Sequence, residues 1–324
     1  MVRWGIIGCG DVTEVKSGPA FNKVDGFSLE MVMRRDAAKA EDYARRHGVP
    51  RWTADADELI HDPAIDAVYI ATPPGSHLPS ALKVAAAGKP AYVEKPMALS
   101  HAECVEMAEA FEKAGVPLFV AYYRRSLPRF ETVRRWIGEG RIGAVRHVHW
   151  GLTRAPSNRD KENAADNWRI DPAIAGGGYF ADLACHGLDL FIHLCGDIEA
   201  AAGVAVNQQG LYAAEDAVSA SWRFAGGATG SGFWNFASHA AMDEVMILGE
   251  KGRIEFSVFG DVPLKLITDQ GEETLAVAHP ANIQHPHIEN IRRHLSGEAR
   301  HPAFGREGAK VSAVMDAILG GYYG

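Results

Sequence analysis

The first 122 residues alternate short apolar runs with amphipathic helical segments, and this alternation is the strongest constraint on the fold. The strand-like runs cover residues 2–7, 28–33, 67–71, 91–94 and 118–121. Strands that alternate with helices form βαβ units, in which the strands run parallel. The pattern therefore predicts a parallel sheet covered by helices.

Local signals place several helices of this first segment. One helix is predicted over residues 12–23, and another over residues 37–47, where Gly48 ends it. Ser100, with Glu103 three residues later, has the capping-box pattern at the start of a further helix. Each helix therefore lies between two of the predicted strands.

The rest of the chain has the pattern of a different architecture. Residues 154–168 are polar and predict a loop, and residues 198–277 contain several strand-like runs separated by turn residues. Such spacing is typical of a mostly antiparallel sheet. We therefore predict an α/β domain over residues 1–122 and an α+β domain over residues 123–324, with the C-terminal helix as a candidate to pack back toward the first domain. A length of 324 residues agrees with two domains.

Composition disfavours several classes of protein. The net charge of −8 opposes binding to nucleic acid or to an anionic membrane. Cys9, Cys104, Cys185 and Cys195 form no C-x-x-C pair and suit reduced thiols. The chain enters a strand at once, without room for a signal peptide, and no apolar run has the length of a membrane span. We expect a cytoplasmic protein with no nucleic-acid or membrane partner.

A glycine turn follows the first strand. Gly8 suits the tight turn, and Gly10 allows a pyrophosphate to approach the backbone at a helix N-terminus. Thr13 replaces the third glycine of the G-x-G-x-x-G pattern, and a plain turn is the alternative interpretation. The predicted phosphate-binding residues are Gly8, Cys9, Gly10, Asp11 and Val12.

The end of the second predicted strand bears on which dinucleotide binds. An acidic residue at this point usually holds the ribose hydroxyls of NAD. Here Arg34 and Arg35 precede Asp36, and a guanidinium matches a 2′-phosphate. We predict NADP(H) over NAD(H); the alternative is that Asp36 binds the ribose and the arginines are solvated.

Three further segments carry a family resemblance. Residues 69–77 read Tyr-Ile-Ala-Thr-Pro-Pro-Gly-Ser-His, and the next apolar run stops abruptly at Glu94-Lys95-Pro96. Residues 176–186 read Gly-Gly-Gly-Tyr-Phe-Ala-Asp-Leu-Ala-Cys-His. In this order, after a glycine turn, they resemble the Gfo/Idh/MocA oxidoreductases over essentially the whole chain. The resemblance implies an N-terminal Rossmann domain and a C-terminal α+β domain for substrate binding and oligomerisation.

The resemblance also implies site residues. Lys95 would contact nicotinamide and substrate, and Asp182 with His186 would form the D-x-x-x-H pair that faces this lysine. A cis peptide before Pro96 is plausible, because X–Pro bonds adopt cis at low cost. The other cofactor-binding residues that the resemblance implies are Thr72, Pro73, His77, Glu94, Trp168 and Arg169.

Four ionisable residues share one face of the helix predicted over residues 178–194. They are Asp182, His186, Asp189 and His193. These residue types can ligate a metal, but hydride transfer requires none, so we predict a catalytic pair and no metal site. His186 is the first choice for acid–base catalysis because its ordinary pKa is near neutrality, with Lys95 stabilising the reacting oxygen; the two roles can be exchanged.

The expected activity is an NADP-preferring oxidoreductase acting on a sugar, a cyclitol or a related polyhydroxylated compound. The alternatives are a redox-neutral enzyme that recycles a tightly bound cofactor and a non-catalytic nucleotide-sensing regulator. Tyr123 and Arg124 either face substrate or pack between domains. The residues near the predicted loop that could recognise hydroxyls are Trp150, Arg154, Asn158, Arg159 and Asn167.

The second half also indicates an oligomer. Aromatic residues alternate along two of its strand-like runs, at Trp222, Phe224, Trp234 and Phe236. One face of such a sheet must pack against helices, and an apolar second face would be too large a patch for a monomer. We predict homodimers or homotetramers formed through this sheet.

Overall fold

The structure is a computed structural model that describes residues 1–162 and 167–324. It divides the chain into two compact units. The first unit comprises Met1–Leu127 and Pro280–Ala309, and the second comprises Pro128–His279 and Lys310–Gly324. The predicted boundary at residue 122 lies shortly before the observed one, and the second unit is not the continuous segment that the sequence pattern predicts.

The first unit contains a six-stranded parallel sheet with the strand order β3-β2-β1-β4-β5-β6. Its strands are β1 (Val2–Ile7), β2 (Phe27–Met33), β3 (Arg51–Thr53), β4 (Ala67–Ile70), β5 (Ala91–Val93) and β6 (Leu118–Val120). The strand order reverses between β1 and β4, and ligands of open α/β sheets bind at the carboxyl ends of the strands at such a point. The predicted parallel α/β architecture is confirmed.

Helices surround this sheet, as the sequence pattern predicts. They are α1 (Asp11–Val15), α2 (Gly18–Phe21), α3 (Ala37–His47), α4 (Ala56–His61), α5 (His77–Ala86) and α6 (His101–Ala114). The single helix predicted over residues 12–23 is instead the pair α1 and α2. Pro19 lacks a backbone N–H and cannot continue a helix from α1, and a new helix begins at Gly18, one residue before the proline.

Local capping signals in the sequence correctly predicted the end of α3 and the start of α6. Gly48 ends α3 with a φ of +66°, a left-handed conformation that glycine adopts without a steric penalty. The Ser100 hydroxyl accepts a hydrogen bond from the N–H of Glu103 at 3.3 Å and begins α6. The Glu103 carboxylate, however, accepts from the N–H of Leu99 rather than from that of Ser100, so the predicted capping box is only half formed.

A late segment of the chain completes the first unit. It contains α11 (His285–Leu295), whose Ile288 and Ile291 belong to the hydrophobic core of this unit. The His287 Nε2 atom lies 2.9 Å from the carbonyl oxygen of Val120 at the end of β6. This burial explains why residues 280–309 do not belong to the second unit.

The second unit is built on an eight-stranded sheet with the order β14-β13-β12-β11-β7-β10-β9-β8. Its strands are β7 (Val145–Thr153), β8 (Ile198–Val206), β9 (Ala217–Phe224), β10 (Thr229–Asn235), β11 (Met242–Gly249), β12 (Gly252–Phe256), β13 (Leu264–Thr268) and β14 (Gly271–Leu275). All neighbouring strands are antiparallel except β7 and β10, which are parallel. The predicted mostly antiparallel sheet is confirmed.

The remaining helices are α7 (Pro128–Gly138), α8 (Asn158–Glu162), α9 (Pro172–Ala175), α10 (Tyr179–Cys195) and α12 (Gly305–Tyr323). Helix α8 falls within the loop predicted over residues 154–168, and a 3-10 turn at Trp168–Ile170 begins at the last residue of that loop. Residues 163–166 lie outside the described residues. A Cβ atom on Gly187 of α10 would lie 2.3 Å from the Trp150 ring. Glycine therefore allows α10 to lie directly on β7.

The two faces of the second sheet differ. The four aromatic residues at alternating positions are buried, at Trp222, Phe224, Trp234 and Phe236. The opposite face exposes Val204 by 68% and Phe233 by 37%. Polar side chains also lie on it, since His149 contacts the hydroxyl of Ser231 at 2.9 Å. In the part of the chain that the structure describes, no helix is long and apolar enough to cross a membrane.

Candidate active site

The segments predicted to bind a cofactor follow four strands of the parallel sheet. Gly8 follows β1, Arg34 follows β2, Thr72 lies just beyond β4, and Glu94 follows β5. Because these strands are parallel neighbours, their carboxyl ends lie along one edge of the sheet. The fold therefore aligns the predicted cofactor-binding segments of the first unit.

The glycine turn is shaped by close contacts. Gly8 has a φ of +89°, and a Cβ atom there would lie 2.9 Å from the backbone nitrogen of Thr72. Gly10 is extended, and a Cβ atom added to it would have its nearest neighbour 3.8 Å away, so space remains beside its backbone. The Thr13 hydroxyl accepts from the N–H of Gly10 at 3.0 Å and donates to its carbonyl oxygen at 2.9 Å. Thr13 thus closes the turn where the usual motif has a third glycine.

Asp36, the acidic residue that follows β2, caps a helix. Asp36 accepts a hydrogen bond from the N–H of Lys39 at 3.2 Å and begins α3. This backbone hydrogen bond lowers the pKa of the Asp36 carboxyl group. Arg34 is half-buried, and its guanidinium donates to the carbonyl oxygen of Cys9 at 3.3 Å, beside the glycine turn, whereas Arg35 is exposed.

Thr72 offers a buried hydroxyl at the same edge. Its Oγ1 atom has no hydrogen-bond partner among the described residues. Leaving a buried hydroxyl without a partner costs free energy, so a polar group of a bound dinucleotide would satisfy it. This hydroxyl and the open space beside Gly10 both fit a dinucleotide cofactor.

His77 connects two loops of this edge. Its Nε2 atom lies 2.6 Å from the carbonyl oxygen of Thr72, and its Nδ1 atom lies 3.1 Å from that of Pro96 and 3.2 Å from that of Met97. Burial lowers the pKa of His77. The resemblance implies that His77 binds the cofactor, but both ring nitrogens face backbone carbonyls, so its observed role is to hold the loop after β4 against the loop after β5.

A buried polar network holds the backbone at Lys95. The Glu94 carboxylate accepts from the Tyr69 hydroxyl and from the Gln284 side-chain amide, both at 2.7 Å. Its second oxygen accepts from the N–H of Lys95 at 3.1 Å. The Lys95–Pro96 peptide is cis, as the resemblance led us to expect. Sequence patterns did not reveal Tyr69 or Gln284, because Tyr69 reads as a core residue and Gln284 is 190 positions away from its partner.

The second unit groups three of the predicted residues at the start of α10. The guanidinium Nε of Arg169 lies 3.3 Å from Oδ2 of Asp182. The guanidinium carbon of Arg169 lies 4.4 Å from the centre of the Trp168 ring. His186, one turn beyond Asp182, is buried, and its ring lies 5.7 Å from that of Phe259 in an edge contact. Within residues 1–162 and 167–324, no three His, Cys, Asp or Glu side chains group into a possible metal site.

Glu215 is a further residue of this region that sequence patterns did not reveal. Its buried carboxylate accepts from the N–H of Gly178, at 2.9 Å to Oε1 and 3.0 Å to Oε2, at the N-terminus of α10. The hydroxyl of Tyr323 donates to the same carboxylate. Burial raises the pKa of Glu215. The sequence signal for Glu215 was the acidic pair Glu215-Asp216 directly before the buried strand β9. Acidic residues are rarely buried without partners, so such a pair indicates specific contacts.

The predicted substrate residues have mixed environments. Tyr123 and Arg124 are both buried in a 3-10 turn, with the guanidinium 5.0 Å from the Tyr123 ring centre. Trp150, one of the residues that could recognise hydroxyls, lies in β7 and donates to Asp243 at 3.0 Å, so it has a structural role.

Asn167 and Arg154 are two further residues that could recognise hydroxyls. The Asn167 amide donates to Asp160 at 2.9 Å and to Tyr179 at 2.7 Å, so it also has a structural task. The Arg154 guanidinium lies 3.9 Å from the centre of the Tyr179 ring and is half-buried. Asn158 and Arg159 are exposed on α8.

A six-stranded parallel sheet with this order, and with a glycine turn beside its point of reversal, defines a dinucleotide-binding α/β protein. The chain belongs to the Gfo/Idh/MocA oxidoreductases. The family model "Oxidoreductase family, NAD-binding Rossmann fold" matches residues 2–122, and "GFO/IDH/MocA C-terminal domain" matches residues 130–255. The family resemblance is therefore confirmed.

The chain has similar proteins over 98% of its length. Oxidoreductase P35 of Formosa agariphila is 37% identical over 319 residues, which is 98% of each chain. The 1,5-anhydro-D-fructose reductase of Ensifer adhaerens is 28% identical over 98% of this chain and 96% of its own. The fold matches that of levoglucosan dehydrogenase in complex with NADH and levoglucosan, with a TM-score of 0.88 at 24% identity over 98% of this chain and 96% of that chain.

Proposed function

We propose that this oxidoreductase transfers hydride between a nicotinamide cofactor and a CH–OH or carbonyl group of a sugar, a cyclitol or a related polyhydroxylated compound. The observation that carries this proposal is Lys95, whose backbone is fixed by the buried Glu94 carboxylate at the carboxyl edge of a dinucleotide-binding sheet. Two relatives support the substrate class, since their names refer to 1,5-anhydro-D-fructose and levoglucosan, both of which are anhydro sugars.

The proposed chemistry divides the work between two side chains. When bound, the nicotinamide cofactor accepts or supplies the hydride. His186 takes the proton of the substrate hydroxyl in oxidation and returns it in reduction, since an imidazole titrates near neutrality. The Lys95 ammonium donates a hydrogen bond to the reacting oxygen and stabilises its developing negative charge. Asp182, which Arg169 contacts, orients His186 or binds a substrate hydroxyl.

We also propose that NADP(H) is preferred over NAD(H). The reason is that the Asp36 carboxylate is engaged at the N-terminus of α3, whereas Arg34 lies beside the glycine turn. A guanidinium in this position can form two hydrogen bonds with a 2′-phosphate. Trp168 and Arg169 are proposed to reach the cofactor from the second unit, as the resemblance implies.

The test is a substrate screen followed at the nicotinamide absorbance band. Purified protein is incubated with NADP⁺ or NADPH and with sugars, anhydro sugars, cyclitols or aromatic dihydrodiols. Turnover of at least one sugar or cyclitol, with a lower KM for NADP(H) than for NAD(H), is expected. Absence of turnover with every polyhydroxylated compound contradicts the proposed activity. Cofactor that co-purifies in stoichiometric amount without net absorbance change supports a redox-neutral enzyme instead.

We further propose that the protein forms homodimers or homotetramers through the outer face of the second sheet. Val204 on β8, Ser219 on β9 and Phe233 on β10 are register partners and form one row across three strands of this face. Both apolar members of the row are exposed. Covering them removes apolar surface from water, which favours association.

A further inference from the structure

Glu215 places a carboxylate against the first turn of α10. The side chain is 0% exposed, and both of its oxygens accept from the N–H of Gly178. The Tyr323 hydroxyl donates a third hydrogen bond to the carboxylate. Burial raises the pKa of Glu215, and the hydrogen bonds from Tyr323 and Gly178 act in the opposite direction. A carboxylate at a helix N-terminus also interacts favourably with the helix dipole.

The backbone around this contact leaves little room for movement. A Cβ atom on Gly178 would lie 2.7 Å from the carbonyl oxygen of Glu215 and 2.9 Å from the Cβ atom of Ala214. The segment that leads into β9 thus touches the backbone at the point where α10 begins. The carboxylate holds the N–H of Gly178 from the same side.

Helix α10 transmits this restraint to the predicted catalytic pair. The N–H of Asp182 donates to the carbonyl oxygen of Gly178 at 3.3 Å, so Asp182 lies one hydrogen-bonded turn after the restrained residue. His186 follows one turn later on the same face. A rotation at the start of the helix therefore moves both side chains together.

We propose that Glu215 is a positioning residue that fixes the rotation of α10 and so places Asp182 and His186 for catalysis. This inference rests on the proposed function for the role of the two side chains. It concerns geometry, because a misplacement of about 1 Å costs up to about a hundredfold in rate.

The neighbouring residue offers a matched control. Asp216 is also buried, and its carboxylate accepts from the N–H groups of Gln208 at 2.7 Å and Gln209 at 2.9 Å. Both carboxylate oxygens of Asp216 therefore hold the turn after β8, just as both oxygens of Glu215 hold the start of α10. Glu215→Gln and Asp216→Asn each replace one buried carboxylate by an amide of nearly the same shape.

The experiment compares the two variants with the wild-type protein. Glu215→Gln is expected to lower kcat by about tenfold to a hundredfold, while the KM for substrate and the affinity for cofactor change by less than about twofold. Asp216→Asn is expected to lower the free energy of unfolding by an amount similar to that for Glu215→Gln, while its kcat stays at the wild-type value. Glu215→Asp, which retains the charge, is expected to recover part of the lost rate. Equal losses of kcat in Glu215→Gln and Asp216→Asn overturn the proposal.

Hydrogen–deuterium exchange supplies a readout that needs no substrate. Glu215→Gln is expected to speed amide exchange over residues 178–186, whereas Asp216→Asn is expected to speed it over residues 207–210. Unchanged exchange over residues 178–186 in Glu215→Gln overturns the positioning role, whether or not a substrate has been found. Failure of every substrate with wild-type protein, together with faster exchange in this variant, overturns only the proposed function.

Discussion

The side chain of Asp36 accepts a hydrogen bond from the N–H of Lys39 and begins α3. Its carboxylate is thereby committed to a helix N-terminus at the position where NAD-binding sheets usually hold the ribose hydroxyls. The neighbouring Arg34 is directed toward the glycine turn through its contact with Cys9. The proposed preference for NADP(H) therefore depends on the arginine.

Replacing Arg34 by serine is expected to weaken NADPH binding by about tenfold to a hundredfold, since hydrogen bonds to charged groups contribute about 1.5–3 kcal/mol. NADH binding is expected to change little, because NADH lacks the 2′-phosphate. Fluorescence titration with both cofactors measures the two affinities. Arg45→Ser, on the exposed face of α3, is the control. A similar loss for NADH and NADPH would show that Arg34 does not read the 2′-phosphate.

Gly8→Ala is expected to impair both stability and cofactor binding. A Cβ atom at Gly8 would meet the backbone nitrogen of Thr72 at 2.9 Å, and backbone cannot move aside as a flexible side chain can. The positive φ adds a penalty of about 1–2 kcal/mol. Thermal unfolding and cofactor titration are the measurements.

Gly26→Ala is the matched control for this substitution. Gly26 also has a positive φ, of +81°, but a Cβ atom added there would have no neighbour within 4 Å. It is expected to lose the conformational contribution alone and to bind cofactor normally. If the two variants behave alike, contact with Thr72 plays no part in shaping the turn.

His186→Ala is expected to lower kcat by about a hundredfold or more, because positioned proton transfer contributes about 10²–10⁴-fold. Lys95→Met is expected to lower kcat by about a hundredfold or more as well, because loss of a donor to the developing oxyanion costs about 10²–10³-fold. Cofactor affinity is expected to stay near that of the wild-type protein. Lys89→Met is the control for the lysine, since Lys89 lies at the opposite end of β5 and donates to the carbonyl oxygen of Asp62. Full turnover in either Lys95→Met or His186→Ala would refute its catalytic assignment.

Sequence patterns located those parts of the structure that depend on local signals. The ends of α3, the parallel sheet of βαβ units, and the segments along the carboxyl edge all follow from residues close in sequence. The division of the single predicted helix into α1 and α2 also depends on a local signal, because Pro19 interrupts the helical pattern. The proline at that position is the local signal for the break.

The features that escaped prediction depend on contacts between distant residues. Gln284 meets Glu94 across 190 positions, and no local pattern reveals that the segment 280–309 returns to the first unit. Glu215 likewise depends on Gly178 and on Tyr323, which is 108 positions away. A buried acid or amide gains its partner only through tertiary structure, so its sequence signal is limited to an unexpected polar residue in an apolar environment.

Buried histidines are expected to make stability depend on pH. Burial lowers the pKa of His287 to about 4, below the value of about 6.5 for an unfolded chain. The unfolded state therefore binds more protons between these values, so the stability that His287 contributes is fully present above about pH 6.5 and is lost as pH falls toward 4. Each pKa unit corresponds to about 1.4 kcal/mol, so titration of His287 is expected to raise the free energy of unfolding by about 3 kcal/mol between pH 4 and neutral pH.

Urea unfolding between pH 4.5 and pH 7.5 measures this dependence. His287→Gln is expected to flatten the rise in the free energy of unfolding with pH, because glutamine does not titrate in this range. His239→Gln, at an exposed position, is expected to leave the slope unchanged. An identical slope in the wild-type protein and in His287→Gln would exclude His287 as a source of the pH dependence.

The row formed by Val204, Ser219 and Phe233 leads to a prediction about assembly. Light scattering of the wild-type protein at micromolar concentration is expected to give the mass of a dimer or a tetramer. The double variant Val204→Glu with Phe233→Glu is expected to reduce that mass, because two carboxylates in a covered apolar face would lose their hydration without gaining partners. Val262→Glu is the control, since Val262 is 56% exposed and lies outside the strands of the sheet. A monomeric wild-type protein, or a double variant with unchanged mass, would show that this face does not mediate association.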